Sequence, residues 1–252
     1  MSFLAIIPAR YASTRFPGKP LARLGGKPIV QHVYERAKQV FERVAVATDD
    51  ARIADAVEAF GGRAVMTSDK HRSGTDRAAE AYHKLGGRED DIVVNIQGDE
   101  PFVSAEQLEA VKALFDNPAT EIATLVKPFP VNTSWQVLAN PNTPKVVLAQ
   151  DGTALYFSRS VIPYLRGEEQ KEWAAHHIYY KHIGLYAYRA SALLRITALP
   201  AGDLEQAESL EQLRWLENGL RIRTAITQIE TIGIDTPEDL QRAQQYLSQH
   251  PE

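Results

Sequence analysis

The sequence contains no cysteine among its 252 residues. A disulfide framework and a thiolate metal site are therefore excluded, and a reducing compartment is compatible with the chain. No apolar run is long enough for a signal peptide or a membrane-spanning helix, and the net charge of -4 argues against a broad nucleic-acid-binding surface. We expect a cytoplasmic protein with no membrane and no nucleic-acid partner, in which any site for a polyanion is local.

Strand and helix patterns alternate in the N-terminal half. Phe3–Ile7 is a short continuous apolar run, typical of a strand buried on both faces. Pro28–Arg43 carries apolar residues at helical spacing, and Val44–Thr48 is typical of a second strand. This alternation predicts an α/β fold with a mostly parallel sheet flanked by helices. Further predicted elements are the helices Ala51–Phe60, Thr75–Leu85 and Ser104–Asn117 and the strand Asp91–Gln97.

The second half has a different pattern. Lys145–Ala149 and Ala154–Ser158 flank a Gln-Asp-Gly-Thr turn, which predicts a hairpin, and His182–Tyr188 alternates with the period of a half-exposed strand. Residues from about 130 to 188 are therefore expected to form an antiparallel lobe, inserted into a single domain that covers 1–252. Glu205–Asn218 is predicted as one helix, and Thr236 with Pro237 begins the last one.

A loop with three cations follows the first strand. This cationic loop, residues 10–19, carries Arg10, Arg15 and Lys19 with small or turn-forming residues between them. Ligands of open α/β sheets lie beyond the carboxyl ends of the strands, so the loop is placed to wrap a triphosphate. A solvated surface loop is the alternative. A Walker A loop is excluded, because Gly25-Gly26-Lys27-Pro28 lacks the upstream glycine and ends in proline instead of serine or threonine.

Two aspartates follow predicted strands. Asp99 comes after Asp91–Gln97, and Asp235 comes after the apolar stretch 232–234. Mg²⁺ takes few protein carboxylates and completes its shell with substrate or water oxygens, so this pair predicts a magnesium site. The structural alternatives are a tight turn at Asp99 and a favourable charge at a helix N-terminus for Asp235.

A third segment, residues 71–77, reads HRSGTDR. Ser73 and Gly74 precede a predicted helix, so their backbone amides can face a ligand, and glycine permits the close approach of a flat base. A helix N-cap made by Thr75 is the structural alternative.

Seven ordered segments resemble the 3-deoxy-manno-octulosonate (KDO) cytidylyltransferase family, CMP-KDO synthetases, over essentially the whole chain. They are IPARYASTRFPGKP, HRSGTDRAAE, NIQGDEP, ALYFSRSVIP, KHIGLYAYR, LEQLRWLE and IDTPEDL. The related CMP-sialic acid synthetases usually carry Gly-Gly-Ser-Lys-Gly where this chain has Tyr-Ala-Ser-Thr-Arg at 11–15. Phe16 stands where the KDO enzymes usually have leucine, which keeps the position apolar.

The resemblance implies a nucleotidyltransferase-like, Rossmann-like fold, a homodimer whose contact uses the inserted lobe, and Mg²⁺-dependent transfer of CMP from CTP to KDO for lipopolysaccharide synthesis. The residues that it implies around the nucleotide are Pro8, Ala9, Arg10, Arg15, Lys19, Arg72, Ser73, Gly74, Gln97 and Asp99. Those implied in catalysis are Arg15, Lys19, Asp99 and Asp235, with the metal on the two aspartates. Those implied in the sugar pocket are Arg159, His182, Tyr186, Glu211 and Gln212.

Rival functions stay open at this point. The acid sugar could be 8-amino-KDO or sialic acid, because a few pocket residues decide sugar choice. A GT-A-like glycosyltransferase is a second alternative, since Gly98-Asp99-Glu100 mimics an acidic metal motif. A non-catalytic nucleotide sensor is a third, because a fold alone does not fix a function.

Overall fold

A computed structural model of the chain describes residues 1–230 and 232–249. The chain divides into two compact units. Unit 1 consists of Met1–Glu109, Tyr188–Thr197 and Glu230–Glu252, and unit 2 consists of Ala110–Ala187 and Ala198–Ile229. The inserted lobe at 130–188 within a single domain stays a prediction.

The strands are β1 Ser2–Ala9, β2 Arg23–Leu24, β3 Lys27–Pro28, β4 Arg43–Thr48, β5 Ala64–Met66, β6 Asp91–Asn95, β7 Ile122–Pro128, β8 Lys145–Leu148, β9 Ala154–Ser158, β10 Tyr180–Arg189 and β11 Ile222–Ile226. The α-helices are α1 Ile29–Val40, α2 Ala51–Ala59, α3 Gly74–Lys84, α4 Ala105–Ala113, α5 Trp135–Leu138, α6 Trp173–His176, α7 Ala190–Thr197, α8 Asp203–Glu208, α9 Glu211–Glu217 and α10 Pro237–Gln249. The helices that the structure describes are all too short or too polar to span a bilayer.

In unit 1, β1 lies between two parallel neighbours. It pairs with β4 on one side and with β6 on the other, and β5 extends the sheet from β4, again in parallel. Residues 4–7 of β1 are all buried, as a strand covered on both faces requires, and α1, α2 and α3 pack on the strands. The predicted α/β class, with a mostly parallel sheet flanked by helices, is confirmed.

Unit 2 contains the predicted hairpin. β8 and β9 pair in antiparallel register, and β8 also pairs antiparallel with β10, while β7 and β11 are parallel. Gly152 lies in the tight turn between β8 and β9 with φ 78°, a left-handed conformation that glycine adopts without strain. The hairpin between 145–149 and 154–158 is therefore confirmed.

The prediction of one helix over Glu205–Asn218 is wrong. The segment forms α8 and α9, which are separated at Ser209, where φ is +50°. Arg159 donates hydrogen bonds to the backbone carbonyl oxygens of Glu208 and Ser209, at 2.5 and 3.1 Å. These bonds from a distant part of the chain hold the left-handed turn, which helical spacing in the sequence does not reveal.

Candidate active site

A cavity of ≈ 290 Å³ in unit 1 opens at the carboxyl end of β1. All ten residues expected around the nucleotide line it, together with Asp235. Its charged lining consists of the five cations Arg10, Arg15, Lys19, Arg72 and Arg77 and the two carboxylates of Asp99 and Asp235. A chain with a net negative charge thus concentrates positive charge at one place, as a local polyanion site requires.

The cationic loop folds back on itself at Tyr11. The carbonyl oxygen of Tyr11 accepts hydrogen bonds from the amides of Ser13 and Gly18, both at 2.9 Å. Gly18 has φ 71°, and it ends the loop where a short 3-10 helix begins at Lys19. The loop thus returns to Tyr11, two residues after the end of β1. The Lys19 side chain is only 12% exposed, whereas that of Arg15 is 65% exposed.

Lys19 bridges the two aspartates. Its ammonium nitrogen lies 2.6 Å from Oδ2 of Asp99 and 3.0 Å from Oδ1 of Asp235. Arg15 contacts the other carboxylate oxygen of Asp235 at 3.1 Å. The two carboxylates therefore converge on one cation position, and this position lies beside the cationic loop.

The segment that carries Asp235 is not a strand, so that prediction is wrong: residues 232–235 have no regular structure. The backbone at Asp235 is instead fixed by hydrogen bonds to two other parts of the chain. The amide of Ile234 donates to the carbonyl of Asp99 at 2.9 Å, and the amides of Asp235 and Thr236 donate to Asp239 of α10 at 3.0 and 2.9 Å. Burial alone would raise the pKa of Asp239, but these bonds and that from Arg242 lower it.

Two glycines allow close packing at the base of the cavity. A Cβ on Gly98 would lie 2.7 Å from the carbonyl oxygen of Pro8, so only glycine fits there. A Cβ on Gly74 would lie 3.2 Å from the ring of Pro8 and 3.6 Å from Oε1 of Gln97. These contacts bring the ends of β1, β6 and the start of α3 together around one space.

The N-cap of α3 is Ser73, whose hydroxyl accepts from the amide of Asp76 at 3.1 Å. Thr75, the N-cap of the structural alternative, is instead a buried residue of the first turn. Two ionisable lining residues, His71 and Arg77, were not among the site residues expected from the sequence. Both lie in the HRSGTDR segment with Ser73 and Gly74. That shared segment is the feature of the sequence that could have identified them.

Arg77 is 3% exposed, and its guanidinium donates to Thr67 at 2.6 Å and to Asp49 at 2.8 Å. It therefore ties α3 to the residues that follow β4 and β5.

The five residues expected in the sugar pocket all lie in unit 2. His182 and Tyr186 are in contact, with ring centroids 5.2 Å apart, and Tyr186 packs edge-on against Trp215. Nε2 of His182 lies 3.1 Å from the hydroxyl of Thr124. Burial lowers the pKa of His182 to about 4, so its imidazole is neutral near pH 7.

The other three sugar-pocket candidates have different surroundings. Glu211 pairs with Arg214 at 3.0 Å. Gln212, next to it on α9, is 5% exposed, and its side-chain nitrogen has no hydrogen-bond partner among the described residues. The guanidinium of Arg159 donates to three backbone carbonyls, those of Pro141, Glu208 and Ser209. In this structure Arg159 therefore braces the junction between α8 and α9.

The sequence and the fold are both similar to known cytidylyltransferases. The family model described as "Cytidylyltransferase" matches residues 4–222. The 3-deoxy-manno-octulosonate cytidylyltransferase of Phocaeicola vulgatus is 62% identical over 249 residues, which cover 99% of this chain and 98% of that protein. The protein of the same name from Parabacteroides distasonis is 61% identical over 249 residues, covering 98% and 99%.

A solved structure of CMP:2-keto-3-deoxy-manno-octonic acid synthetase complexed with CTP is similar to the chain over 99% of both proteins. The TM-score is 0.90 and the sequence identity is 45%. These similarities confirm the resemblance inferred from the seven segments. The chain therefore belongs to the cytidylyltransferase family, among the 3-deoxy-manno-octulosonate cytidylyltransferases.

Proposed function

We propose that this chain transfers the CMP group of CTP to KDO, forming CMP-KDO and releasing pyrophosphate. The convergence of Asp99 and Asp235 on one cation, beside a cavity lined by all ten expected nucleotide residues, carries this proposal. The fold, the geometry of the site and the membership of the chain in the cytidylyltransferase family all support this proposal.

Charge neutralisation is the first task of such an enzyme. CTP carries roughly four negative charges near neutral pH, and the acid sugar adds a carboxylate. Arg10, Arg15 and Lys19 supply positive charge on the cationic loop, and Arg72 supplies more across the cavity. Guanidinium groups suit phosphate oxygens because they donate two parallel hydrogen bonds.

Asp99 and Asp235 fit the binding of Mg²⁺, which we propose as the cofactor. Both carboxylates already contact a single ammonium group, so they are close enough to share one ion. No group of three or more metal-binding side chains exists in the described part of the chain. Two carboxylates leave the remaining coordination positions to substrate and water oxygens, as is usual for Mg²⁺. A bound Mg²⁺ would polarise phosphate oxygens and lower the pKa of a coordinated hydroxyl.

The reaction then needs little covalent chemistry from the protein. The anomeric hydroxyl of KDO attacks the α-phosphorus, an oxygen–phosphorus bond forms, and the bond to pyrophosphate breaks on the opposite side. Arg15 and Lys19 hold the leaving pyrophosphate, while Gln97, Ser73 and Gly74 surround the cytidine. Positioning and electrostatic stabilisation supply most of the catalysis.

Sugar choice is assigned to unit 2. Neutral His182, in contact with the tilted ring of Tyr186, offers a hydrogen bond to a polyhydroxylated substrate, and buried Gln212 offers an amide. The test is pyrophosphate release from CTP with KDO, 8-amino-KDO or sialic acid as competing acceptors. We expect KDO to give the highest kcat/KM; a preference for either other sugar contradicts the proposal.

We further propose that the chain is a homodimer, that it works in the cytoplasm, and that its product serves lipopolysaccharide synthesis. Exposed apolar side chains support a contact at residues 130–188: Val131, Val137, Tyr164 and Ile178 are 71, 56, 74 and 59% exposed. Sedimentation of the wild type and of Tyr164→Lys tests this contact. A monomeric wild type contradicts the dimer, and a dimeric Tyr164→Lys variant contradicts the surface.

A further inference from the structure

Glu80 makes two contacts that join α3 to the loop before it and one contact within α3. One carboxylate oxygen accepts a hydrogen bond from the amide of Ser68 at 2.8 Å and also contacts Nε2 of His71. The other carboxylate oxygen pairs with Lys84, one helical turn later, at 2.7 Å. Side chains on a helix tilt toward its N-terminus, so Glu80 leans back over the loop that enters α3.

The loop in question, residues 67–73, forms one wall of the cavity. His71, Arg72 and Ser73 line the cavity, whereas Glu80 is outside its lining. The loop is fastened at its start, where Thr67 donates to Thr48 at 3.1 Å, and at its end, where Ser73 caps α3. Glu80 supplies the fastening in the middle, next to Arg72.

The carboxyl group of Glu80 stays ionised at pH values near neutral. Burial alone would raise the pKa of Glu80, but hydrogen bonds from Lys84, the Ser68 amide and His71 lower it to about 2. Only 24% of the Glu80 side chain is exposed, so solvent screens these interactions only in part. Hydrogen bonds to a charged acceptor are stronger than neutral ones, which suits a residue that fixes a loop.

We propose that Glu80 is a positioning residue for nucleotide binding. It acts through His71 and Ser68 to hold the cavity-lining residues 71–74 against the cytidine part of CTP. This proposal rests on the proposed function, because it takes CTP as the ligand of the cavity. Lys19 acts on the triphosphate, so loss of Glu80 has a different signature. It weakens CMP and CTP alike, whereas loss of Lys19 weakens CTP far more than CMP.

The test compares Glu80→Ala and Glu80→Gln with the wild type and with Glu58→Ala, an exposed glutamate on α2. Calorimetry without KDO gives the dissociation constants of CMP and CTP, and steady-state pyrophosphate release gives kcat and the KM for CTP. We expect Glu80→Ala to raise both dissociation constants and the KM by about tenfold, with kcat nearly unchanged. Glu80→Gln keeps an acceptor for Ser68 and is expected to be intermediate, and Glu58→Ala is expected to match the wild type.

Two results would overturn the proposal. One is unchanged affinity for CMP and CTP in Glu80→Gln, which decides the matter if Glu80→Ala does not fold. The other is a lower kcat at unchanged KM, which indicates only a smaller folded fraction. A wild type that binds CTP but releases no pyrophosphate with KDO refutes the proposed function instead, and leaves the binding comparison valid.

Discussion

The ammonium nitrogen of Lys19 lies 2.6 Å from a carboxylate oxygen of Asp99. The same nitrogen lies 3.0 Å from Asp235, so one cation neutralises both aspartates. An ammonium group and a divalent ion cannot occupy one position between the same two carboxylates. Lys19 therefore has two possible anionic partners in the proposed reaction, the aspartate pair and the triphosphate.

The first prediction concerns the triphosphate. Lys19→Gln should weaken CTP binding by about tenfold or more, because one charge-assisted contact to the phosphates is lost, and should change CMP binding much less. Calorimetry with both nucleotides measures the difference, and Lys27→Gln, on β3, serves as the control. An equal loss for CMP and CTP indicates that Lys19 is structural.

The second prediction concerns cation competition. In Lys19→Gln the two aspartates lose their ammonium partner, so they should bind Mn²⁺ more tightly than in the wild type when no nucleotide is added. Electron paramagnetic resonance of free Mn²⁺ measures the affinity, with Asp99→Asn in the Lys19→Gln background as the control for the site. Equal or weaker Mn²⁺ binding in Lys19→Gln refutes the competition.

The third prediction concerns the close approach of Gly98 to β1. Gly98→Ala places a Cβ 2.7 Å from the carbonyl oxygen of Pro8, so the backbone must shift. We expect the free energy of unfolding to fall by about 1–3 kcal/mol in urea denaturation. Gly184→Ala is the matched control, because a Cβ there meets nothing within 4 Å. Similar stabilities of the two variants would show that this packing is unimportant.

The fourth prediction concerns pH. The pKa of His182 is about 4 in the folded chain, against an ordinary value of 6.5. The unfolded chain binds the extra proton first, so the free energy of unfolding falls as pH drops from 6.5 to 4, by at most about 3 kcal/mol. His182→Gln should remove this part of the pH dependence, whereas His83→Gln, at an exposed position on α3, should retain it. Identical pH profiles of the wild type and His182→Gln contradict the assignment.

The residues that line the cavity could be predicted from the sequence because each contributing segment is short and continuous. The cationic loop follows a strand whose apolar run is unambiguous, and in a parallel sheet such loops share one edge. The convergence of Asp99 and Asp235 depends instead on contacts between distant segments. Ile234 reaches Asp99 through a backbone hydrogen bond, and no local pattern in the sequence encodes that bond.

Unit 2 was less predictable for the same reason. The break between α8 and α9 depends on Arg159, far from both helices in sequence, so continuous helical spacing suggested one helix. The strands β7 and β11 of unit 2 and β5 of unit 1 were not predicted, and the three residues of β5 are too few for periodicity to specify a strand.

The most direct test of the central claim is the Mg²⁺ dependence of pyrophosphate release from CTP and KDO. It compares the wild type, Asp99→Asn, Asp235→Asn and the exposed control Asp55→Asn, each with Mg²⁺ or with EDTA, and uses ATP, GTP and UTP as nucleotide controls. We predict release only with CTP, KDO and Mg²⁺ together, full activity in Asp55→Asn, and a loss of about a hundredfold or more in the other two variants at unchanged Tm. A near-normal, Mg²⁺-dependent rate in either Asp99→Asn or Asp235→Asn would contradict the account.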